Sequence, residues 1–237
     1  MSPVDERDHE RPKTQAKRET VDYRKWNRIA EDQGAVNECV FAGGESCIQY
    51  PINKLRGTDI SNGSKMVNLD STSLYYMCCD LYYDGDRSRG AYPRDLMKML
   101  KNNGMMEVSP NSGELHKIKD YWRNRSVEDI ERSLLDIGPC TVMFEWFSGY
   151  DTCKRFLEPR KGYSRGYHQT AIEGLDYIDD KLSWIIRNSY GTRFADMGYY
   201  YIQYEHMEDI LLESWSFIYD FSLEQMADMI NRDFMEN

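Results

Sequence analysis

The order of apolar and polar residues divides the chain into a helical first part and a strand-rich second part. Helical spacing, or the lack of strand alternation, predicts helices at residues 39–50, 92–103 and 126–137. Short apolar segments rich in Ile, Tyr and Trp predict antiparallel strands at residues 140–147, 168–175, 182–187 and 198–204. Helices followed by strands favour an α+β fold with two lobes.

Individual residues set the expected bounds and stability of these helices. Pro51 is expected to end the first one, because proline lacks the N–H that would continue the helix. Gly43 and Gly44 each weaken that helix by roughly 1 kcal/mol relative to alanine, so tertiary packing has to hold it. Ser126 and Asp129 have the spacing of a capping box, which predicts the start of the third helix.

Charge and apolar content set the expected domain limits. Residues 1–20 are highly charged and have no apolar stretch, which predicts a disordered tail rather than a secretory signal. The folded domain is expected over residues 21–210. Residues 211–237 are expected to form a divergent C-terminal extension, with a helix at 223–234 after the capping candidate Ser222.

The composition limits the classes of function. Hydrophobic residues make up 41% of the 237 residues and aromatic residues 13%, which is enough to build a core. The formal net charge of −10 disfavours nucleic acid and anionic lipid as partners, and no apolar run reaches the ~18 residues of a membrane span. The chain lacks the motifs of metal and nucleotide sites, so we expect no metal and no cofactor. Asp179 and Asp180 predict a hairpin turn rather than a catalytic carboxylate pair.

One set of residues has the chemistry of acyl transfer by a thiol. That chemistry needs a thiolate, a histidine that takes and returns its proton, a group that orients the imidazole, and donors for the oxyanion. Cys39 follows the loop signal Gln33-Gly34 and begins a predicted helix, whose N-terminus favours an anion. His168 and Asn188 lie about 130 and about 150 residues further on, each beside an apolar segment.

Taken singly, each of these residues has a plainer interpretation. Cys39 is then a small buried apolar residue and His168 a hydrogen-bonded core histidine. Gln33 is then an ordinary loop residue and Asn188 a turn residue. The order in which the four occur favours the catalytic interpretation.

Further motifs resemble those of the papain-like cysteine peptidases, the family known for the spacing just described. The matches, in chain order, are Val21-Asp22-Tyr23-Arg24, Gln33-Gly34 with Cys39, Gly90-Ala91-Tyr92-Pro93, Gly138-Pro139, Asn188-Ser189-Tyr190-Gly191 and Gly198-Tyr199. The resemblance covers roughly residues 21–205. It implies a helical N-terminal lobe, a β-rich C-terminal lobe and an active site between them.

The resemblance also implies a role for each matching residue. Cys39 would be the nucleophile, His168 the general base and then acid, Asn188 the group that holds the imidazole, and Gln33 an oxyanion donor beside the Cys39 N–H. The implied substrate-binding residues are Gly90, Ala91, Met143, Gln169 and Tyr190. Gln169 stands where the family has a small residue, so it narrows the pocket for the second residue before the cleaved bond if it points inward.

The chain departs from the family beside its nucleophile. Glu38 places a negative charge next to Cys39, which raises the thiol pKa. Val40 replaces an indole of the cleft, and Tyr190 replaces the tryptophan that shields the His–Asn hydrogen bond. Tyr167 stands before the histidine, where the family has Asp or Asn. These changes make weak or absent turnover a real alternative.

Disulfide positions are also lost. Val36 and Ser88 stand where the family has the two cysteines of one bridge, and Cys79 matches another bridge position for which we find no partner. Together with the lack of a signal peptide and of a long propeptide, this predicts a cytoplasmic or nuclear protein, whereas family relatives are vacuolar, lysosomal or secreted. A monomer is expected.

The leading hypothesis is therefore a cysteine endopeptidase that hydrolyses peptide bonds in peptide or protein substrates through a Cys-His-Asn acyl-enzyme mechanism. The alternative is a weak or inactive relative that binds peptides or protease inhibitors in its cleft. A third hypothesis is that the protein is the product of a decaying gene copy and folds poorly.

Overall fold

A computed structural model describes residues 19–61, 66–108, 113–222 and 225. The predicted tail lies outside these residues as far as residue 18, and the predicted helix at 223–234 lies outside them except for Gln225. Ser222 and Gln225 form the two reciprocal hydrogen bonds of a capping box, Gln225 N to Ser222 Oγ at 3.1 Å and Ser222 N to Gln225 Oε1 at 2.8 Å.

The described part of the chain has α-helices and an antiparallel sheet, as predicted. The helices are α1 (Cys39–Arg56), α2 (Ser71–Tyr82), α3 (Pro93–Asn102), α4 (Val127–Asp136) and α5 (Met207–Ile210). The strands are β1 (Val21–Asp22), β2 (Met105–Met106), β3 (Leu115–His116), β4 (Ile118–Asn124), β5 (Cys140–Phe147), β6 (Ser164–Ile178), β7 (Lys181–Arg187), β8 (Tyr199–Gln203) and β9 (Leu211–Tyr219). Short 3₁₀ turns are formed by Arg24–Trp26, Ser148–Thr152 and Tyr204–His206.

The main sheet has seven strands in the order β4-β9-β5-β6-β7-β8, with β1 paired to β6. All of its pairings are antiparallel. β6 and β7 are joined at Asp179 and Asp180, which have φ values of 48° and 63°. Two successive positive φ angles are typical of a tight hairpin turn, so the turn prediction is confirmed.

Two apolar clusters cover opposite faces of this sheet. Met143 on β5 belongs to the cluster that also contains residues of α1, α2 and α3, and its neighbour Phe144 belongs to the cluster with α4. This alternation follows from the two-residue period of a strand. The helical layer on one face and the sheet with α4 behind it form the two lobes that the sequence predicts.

Helix α1 does not end at Pro51, which corrects the sequence prediction. It continues to Arg56 and stops at Gly57, which adopts the left-handed conformation with φ 63°. The residues beyond the proline hold it in place: Ile52 is buried, and the Asn53 side chain donates to Trp26 O and accepts from Val67 N, both at 2.8 Å. Tertiary contacts therefore offset the proline.

Gly43 and Gly44 explain how α1 lies so close to the sheet. A Cβ on Gly43 would come within 3.2 Å of the Thr170 backbone in β6, and a Cβ on Gly44 would overlap the buried Leu96 side chain of α3. The two glycines that weaken the isolated helix thus permit its packing. Because Thr170 is two residues beyond His168, the same close approach brings the start of α1 to the histidine.

The sheet extends past residue 210, the predicted limit of the domain. Strand β9 pairs with β4 on one side and β5 on the other, so it is a central strand. Its polar residues have buried partners: Ser214 and Ser216 each accept a hydrogen bond from Asn124 at 2.9 Å.

Helix α2 was also absent from the sequence prediction. It is capped by Asp70, whose side chain accepts a hydrogen bond from Ser73 N at 2.8 Å.

Candidate active site

Cys39 is the first residue of α1, where the N-terminus of a helix favours a negative charge. Cys39 is partly exposed as a residue, and the backbone N–H groups of Gln169, Val40 and Cys39 itself lie where they favour the ionised sulfur. Burial raises the pKa of the Cys39 thiol above its usual value, and the charge of Glu38 adds to the rise, while these three N–H groups oppose it. Gln169 follows His168, so the sulfur lies beside the strand that carries the predicted base.

The hydrogen bonds of Asn188 define the proton positions on His168. Asn188 Oδ1 accepts from the backbone N–H of Ser189 at 2.9 Å, which identifies this atom as the amide oxygen. The same oxygen lies 2.7 Å from Nε2 of His168, so Nε2 carries a proton and donates it. In the neutral ring, Nδ1 is then the basic nitrogen. The predicted contact between His168 and Asn188 is present in this structure.

Aromatic rings enclose His168, whose side chain is almost fully buried. Tyr190 stacks on the imidazole with centroids 4.9 Å apart, and Trp146 meets it edge-on at 4.8 Å. Burial lowers the pKa of His168 to about 4, while the hydrogen bond with Asn188 acts in the opposite direction. The ring is therefore neutral at pH 7, which is the form a general base needs.

Gln33 is tied to both lobes. Its Nε2 donates to Val36 O at 2.7 Å, and its Oε1 accepts from the hydroxyl of Ser189. Its backbone N–H donates to Ser189 O at 2.9 Å. These bonds fix the orientation of the side-chain amide and leave its second N–H for another acceptor.

A cleft of about 430 Å³ opens beside Cys39. It is lined by Cys39, Val40, Arg89, Gly90, Ala91, Tyr92, Met143 and Tyr167. The predicted residues Gly90, Ala91 and Met143 are in this lining. Gly90 has φ 75°, a backbone conformation that glycine adopts without strain.

Two predicted substrate-binding residues have other contacts. Gln169 is buried and does not line the cleft, because its side-chain amide donates to Val40 O at 3.1 Å. Tyr190 packs on His168 rather than in the cleft lining. Sequence reasoning did not assign Arg89 and Tyr167 to the cleft. Their positions directly before Gly90 and His168 were the available signal.

Glu38 is buried beside the nucleophile and accepts a hydrogen bond from Thr72 Oγ1 at 2.9 Å. Burial raises the pKa of Glu38, and the carboxylates of Asp70 and Glu31 add to the rise. When ionised, Glu38 in turn opposes formation of the Cys39 thiolate.

Glu38→Gln is therefore expected to speed alkylation of Cys39 by iodoacetamide severalfold at pH 7, because removing the carboxylate lowers the thiol pKa. The rate can be followed by intact mass. Asp120→Asn removes an exposed carboxylate that pairs with Lys101 and should leave the rate unchanged. Equal rates for Glu38→Gln and the parent would show that this charge does not control the thiol.

Among the described residues, one group has donor atoms close enough to suggest a metal: Glu107, Glu114 and His116, within 4.8 Å of one another. The guanidinium of Arg56 already bridges the two carboxylates, at 2.7 Å and 3.2 Å. Its positive charge offsets part of the charge of the two carboxylates, and the group is not part of the cleft lining.

The six cysteines all lie in the described residues and are unpaired. None of the helices in the described ranges has the length and apolar character that crossing a membrane requires.

Comparison with known proteins gives relatives of one kind. Cysteine proteinase 1 of Entamoeba histolytica is 25% identical over 202 residues, which cover 76% of this chain and 61% of that protein. A peptidase C1-like protein of Acanthamoeba polyphaga mimivirus is 24% identical over 81% of this chain and 60% of its own length. The chain thus spans about three fifths of the length of these curated relatives.

Solved structures share the fold. Xylellain, a cysteine protease from Xylella fastidiosa, superimposes with a TM-score of 0.74 at 19% identity, covering 92% of this chain and 93% of its own. A procathepsin B from Trypanosoma congolense has a TM-score of 0.68 at 15% identity, covering 86% of this chain and 78% of its own. At these identities the likeness establishes the papain-like fold.

A family model settles the classification. The model described as papain family cysteine protease matches residues 60–217, about two thirds of the chain. The match contains His168 and Asn188, while Cys39 and Gln33 precede it. This chain belongs to the papain family of cysteine proteases.

Proposed function

We propose that this chain hydrolyses peptide bonds, with Cys39 as nucleophile, His168 as general base and acid, Asn188 as the group that orients the imidazole, and Gln33 as an oxyanion donor. The observation that carries the proposal is the hydrogen bond from His168 Nε2 to Asn188, which leaves Nδ1 as the basic nitrogen. The backbone N–H of Gln169, the residue after His168, also lies where it favours the ionised form of Cys39. Family membership supports the same chemistry at the level of a cysteine peptidase.

The proposed reaction has two stages. Nδ1 of His168 takes the Cys39 proton, and the sulfur attacks the substrate carbonyl carbon. The oxyanion is stabilised by the free Nε2–H of Gln33 and the backbone N–H of Cys39. The imidazolium then protonates the leaving amine, and a thioester remains. Water, deprotonated by the same nitrogen, hydrolyses the thioester and restores the thiol.

The substrates would be peptides or unfolded protein segments. The cleft beside Cys39 is open and bordered by Gly90, whose missing side chain lets a substrate backbone approach. The six unpaired thiols favour action in a reducing compartment such as the cytoplasm or nucleus.

A second candidate function is peptide binding with little turnover. It is favoured by the protonation states of the pair, because burial raises the pKa of Cys39 and lowers that of His168 to about 4. Both groups are then neutral at pH 7, and the thiolate is scarce until a substrate changes the surroundings. Tight inhibitor binding without product formation would identify this function.

The direct test is labelling with a peptidyl epoxide probe at pH 7, read by intact mass. One adduct per chain is expected, lost in Cys39→Ser and kept in Cys153→Ser, the variant of the other partly exposed cysteine. The parent should also cleave a denatured protein that Cys39→Ser leaves intact. Failure of the folded parent to accept the probe, together with no cleavage, would reject the proposed nucleophile.

A further inference from the structure

Arg89 places a positive charge on the wall of the substrate cleft. Its side chain is exposed and its residue lines the cleft together with Cys39 and Gly90. The guanidinium lies over two aromatic rings, 4.5 Å from the centroid of Tyr83 and 5.3 Å from that of Tyr92. A guanidinium in contact with aromatic rings still has five N–H donors, which can bind a carboxylate.

The loop that carries Arg89 is held on both sides. Tyr75 Oη donates to Arg87 O at 2.8 Å, and Asn37, two residues before the nucleophile, donates to Ser88 O at 2.9 Å. Tyr83 is itself fixed, because its hydroxyl donates to Asp95 at 2.7 Å. The cation is therefore positioned before any ligand binds, which lowers the entropic cost of binding one.

No carboxylate of the described residues forms an ion pair with Arg89. The neighbouring cation, Arg87, has a partner in Asp80 at 2.8 Å. The carboxylate of Asp86 accepts hydrogen bonds from the N–H of Ser88 at 2.8 Å and from its hydroxyl at 2.6 Å. These bonds lower the pKa of Asp86 and the charge of Arg89 adds to the lowering, but the two side chains form no direct ion pair. Arg89 consequently keeps its capacity for a carboxylate from outside the chain.

The opposite wall adds no carboxylate to the lining of the cleft. The residues of that wall in the lining are Met143 and Tyr167, neither of which has a carboxylate or a cationic group. Glu145 faces Tyr167 across the strands but does not line the cleft. The protein as a whole carries a net charge of −10, so a cationic cleft wall is a local feature.

We propose that Arg89 makes this cleft select substrates with an acidic side chain among the three residues before the cleaved bond. The inference rests on the proposed function, because it assigns a substrate class to the same cleft. A glutamate or aspartate carboxylate would accept hydrogen bonds from the N–H groups of the guanidinium. Arg89 would be a specificity-determining residue and would take no part in the bond-making steps.

The test measures binding alone, so it does not depend on turnover. Full-length protein carrying Cys39→Ala is titrated with fluorescein-labelled peptides that differ by glutamate or glutamine at each of the three positions. We expect the glutamate peptide to bind about fivefold more tightly at one position, the size of a partly exposed charge pair. This preference should shrink as salt is added.

Substitutions of Arg89 test whether this residue causes the preference for the glutamate peptide. In the same background, Arg89→Gln should equalise the two peptides, and Arg89→Glu should favour a lysine peptide over the glutamine one. Arg87→Gln is the matched control, since it removes an arginine of the same loop outside the cleft lining, and should keep the preference.

Three results would overturn the inference: equal affinities at all three positions, a preference that survives Arg89→Gln, or no binding of any peptide. The proposed function would stand through each of them if the parent protein still takes up the epoxide at Cys39 and cleaves denatured protein. Conversely, the protein could prefer acidic peptides in binding but fail to take up the epoxide. That result would support the role of Arg89 and reject Cys39 as the nucleophile.

Discussion

Replacing His168 by glutamine is expected to lower kcat/KM for peptide hydrolysis by about a thousandfold, the middle of the range for a positioned general base. Glutamine has no basic nitrogen, so nothing takes the proton from Cys39 in the attack or returns it to the leaving amine. Its volume is close to that of histidine, which limits the cavity left between Trp146 and Tyr190.

His116→Gln is the matched control. His116 is as buried as His168, but its ring bonds Tyr219 at 2.7 Å and Glu107 at 3.1 Å, away from the cleft lining. The His116→Gln variant should keep the parent kcat/KM if it folds. A His168→Gln protein that retained activity within tenfold of the parent would contradict the assigned base, whatever its stability.

The same variant tests the protonation state of the ring. In the folded protein the pKa of His168 is about 4, whereas it is about 6.5 in an unfolded chain. Between these values the unfolded chain binds the extra proton, so stability falls as the pH falls from about 6.5 towards 4 and then levels off. The loss from this group is up to about 3 kcal/mol.

His168→Gln should therefore show a smaller loss of stability than the parent over that pH window, measured by urea unfolding at pH 7, 5.5 and 4.5. The difference between the two proteins isolates this residue, because every other titrating group is shared. Parallel stability curves for the two proteins would mean that the ring is not held neutral in the fold.

The site was more predictable from the sequence than the sheet that carries it. The sequence singles out Cys39, His168 and Asn188 as candidates because acyl transfer by a thiol restricts which residue types can serve. The strands that carry His168 and precede Asn188 have clear local patterns. The contact of Gln169 with Val40 was not predictable, since a strand pattern gives the face of a side chain but not its hydrogen-bond partner.

Strand β9 shows why other parts of the fold were not predicted from the sequence. Its buried residues include Glu213, Ser214 and Ser216, which read as surface positions in the sequence. Their partners come from distant segments, such as Asn124 on β4, and no local pattern reveals them. The same holds for Pro51, where contacts of the later helical turns outweigh a local stop signal.

The second large effect is on stability. Arg187→Met is expected to lower the free energy of unfolding by about 4 kcal/mol, because it leaves the carboxylate of Glu173 buried without its cation. Arg187 and Glu173 are 3% and 0% exposed, with 3.4 Å between charged atoms. The guanidinium also donates to Gln49 Oε1 and Ile29 O, both at 3.1 Å, and these acceptors would lose a partner.

The double variant Arg187→Met/Glu173→Gln separates the charge from the packing. Glutamine keeps an oxygen for the Tyr199 hydroxyl, which donates to Glu173 at 2.9 Å in the parent, but carries no charge. The double variant should therefore be more stable than Arg187→Met alone, even though it has one more substitution. Melting temperature and urea unfolding at pH 7 measure both. If the double variant is instead the less stable of the two, loss of the hydrogen bonds and packing of Arg187, rather than an uncompensated buried charge, accounts for the cost.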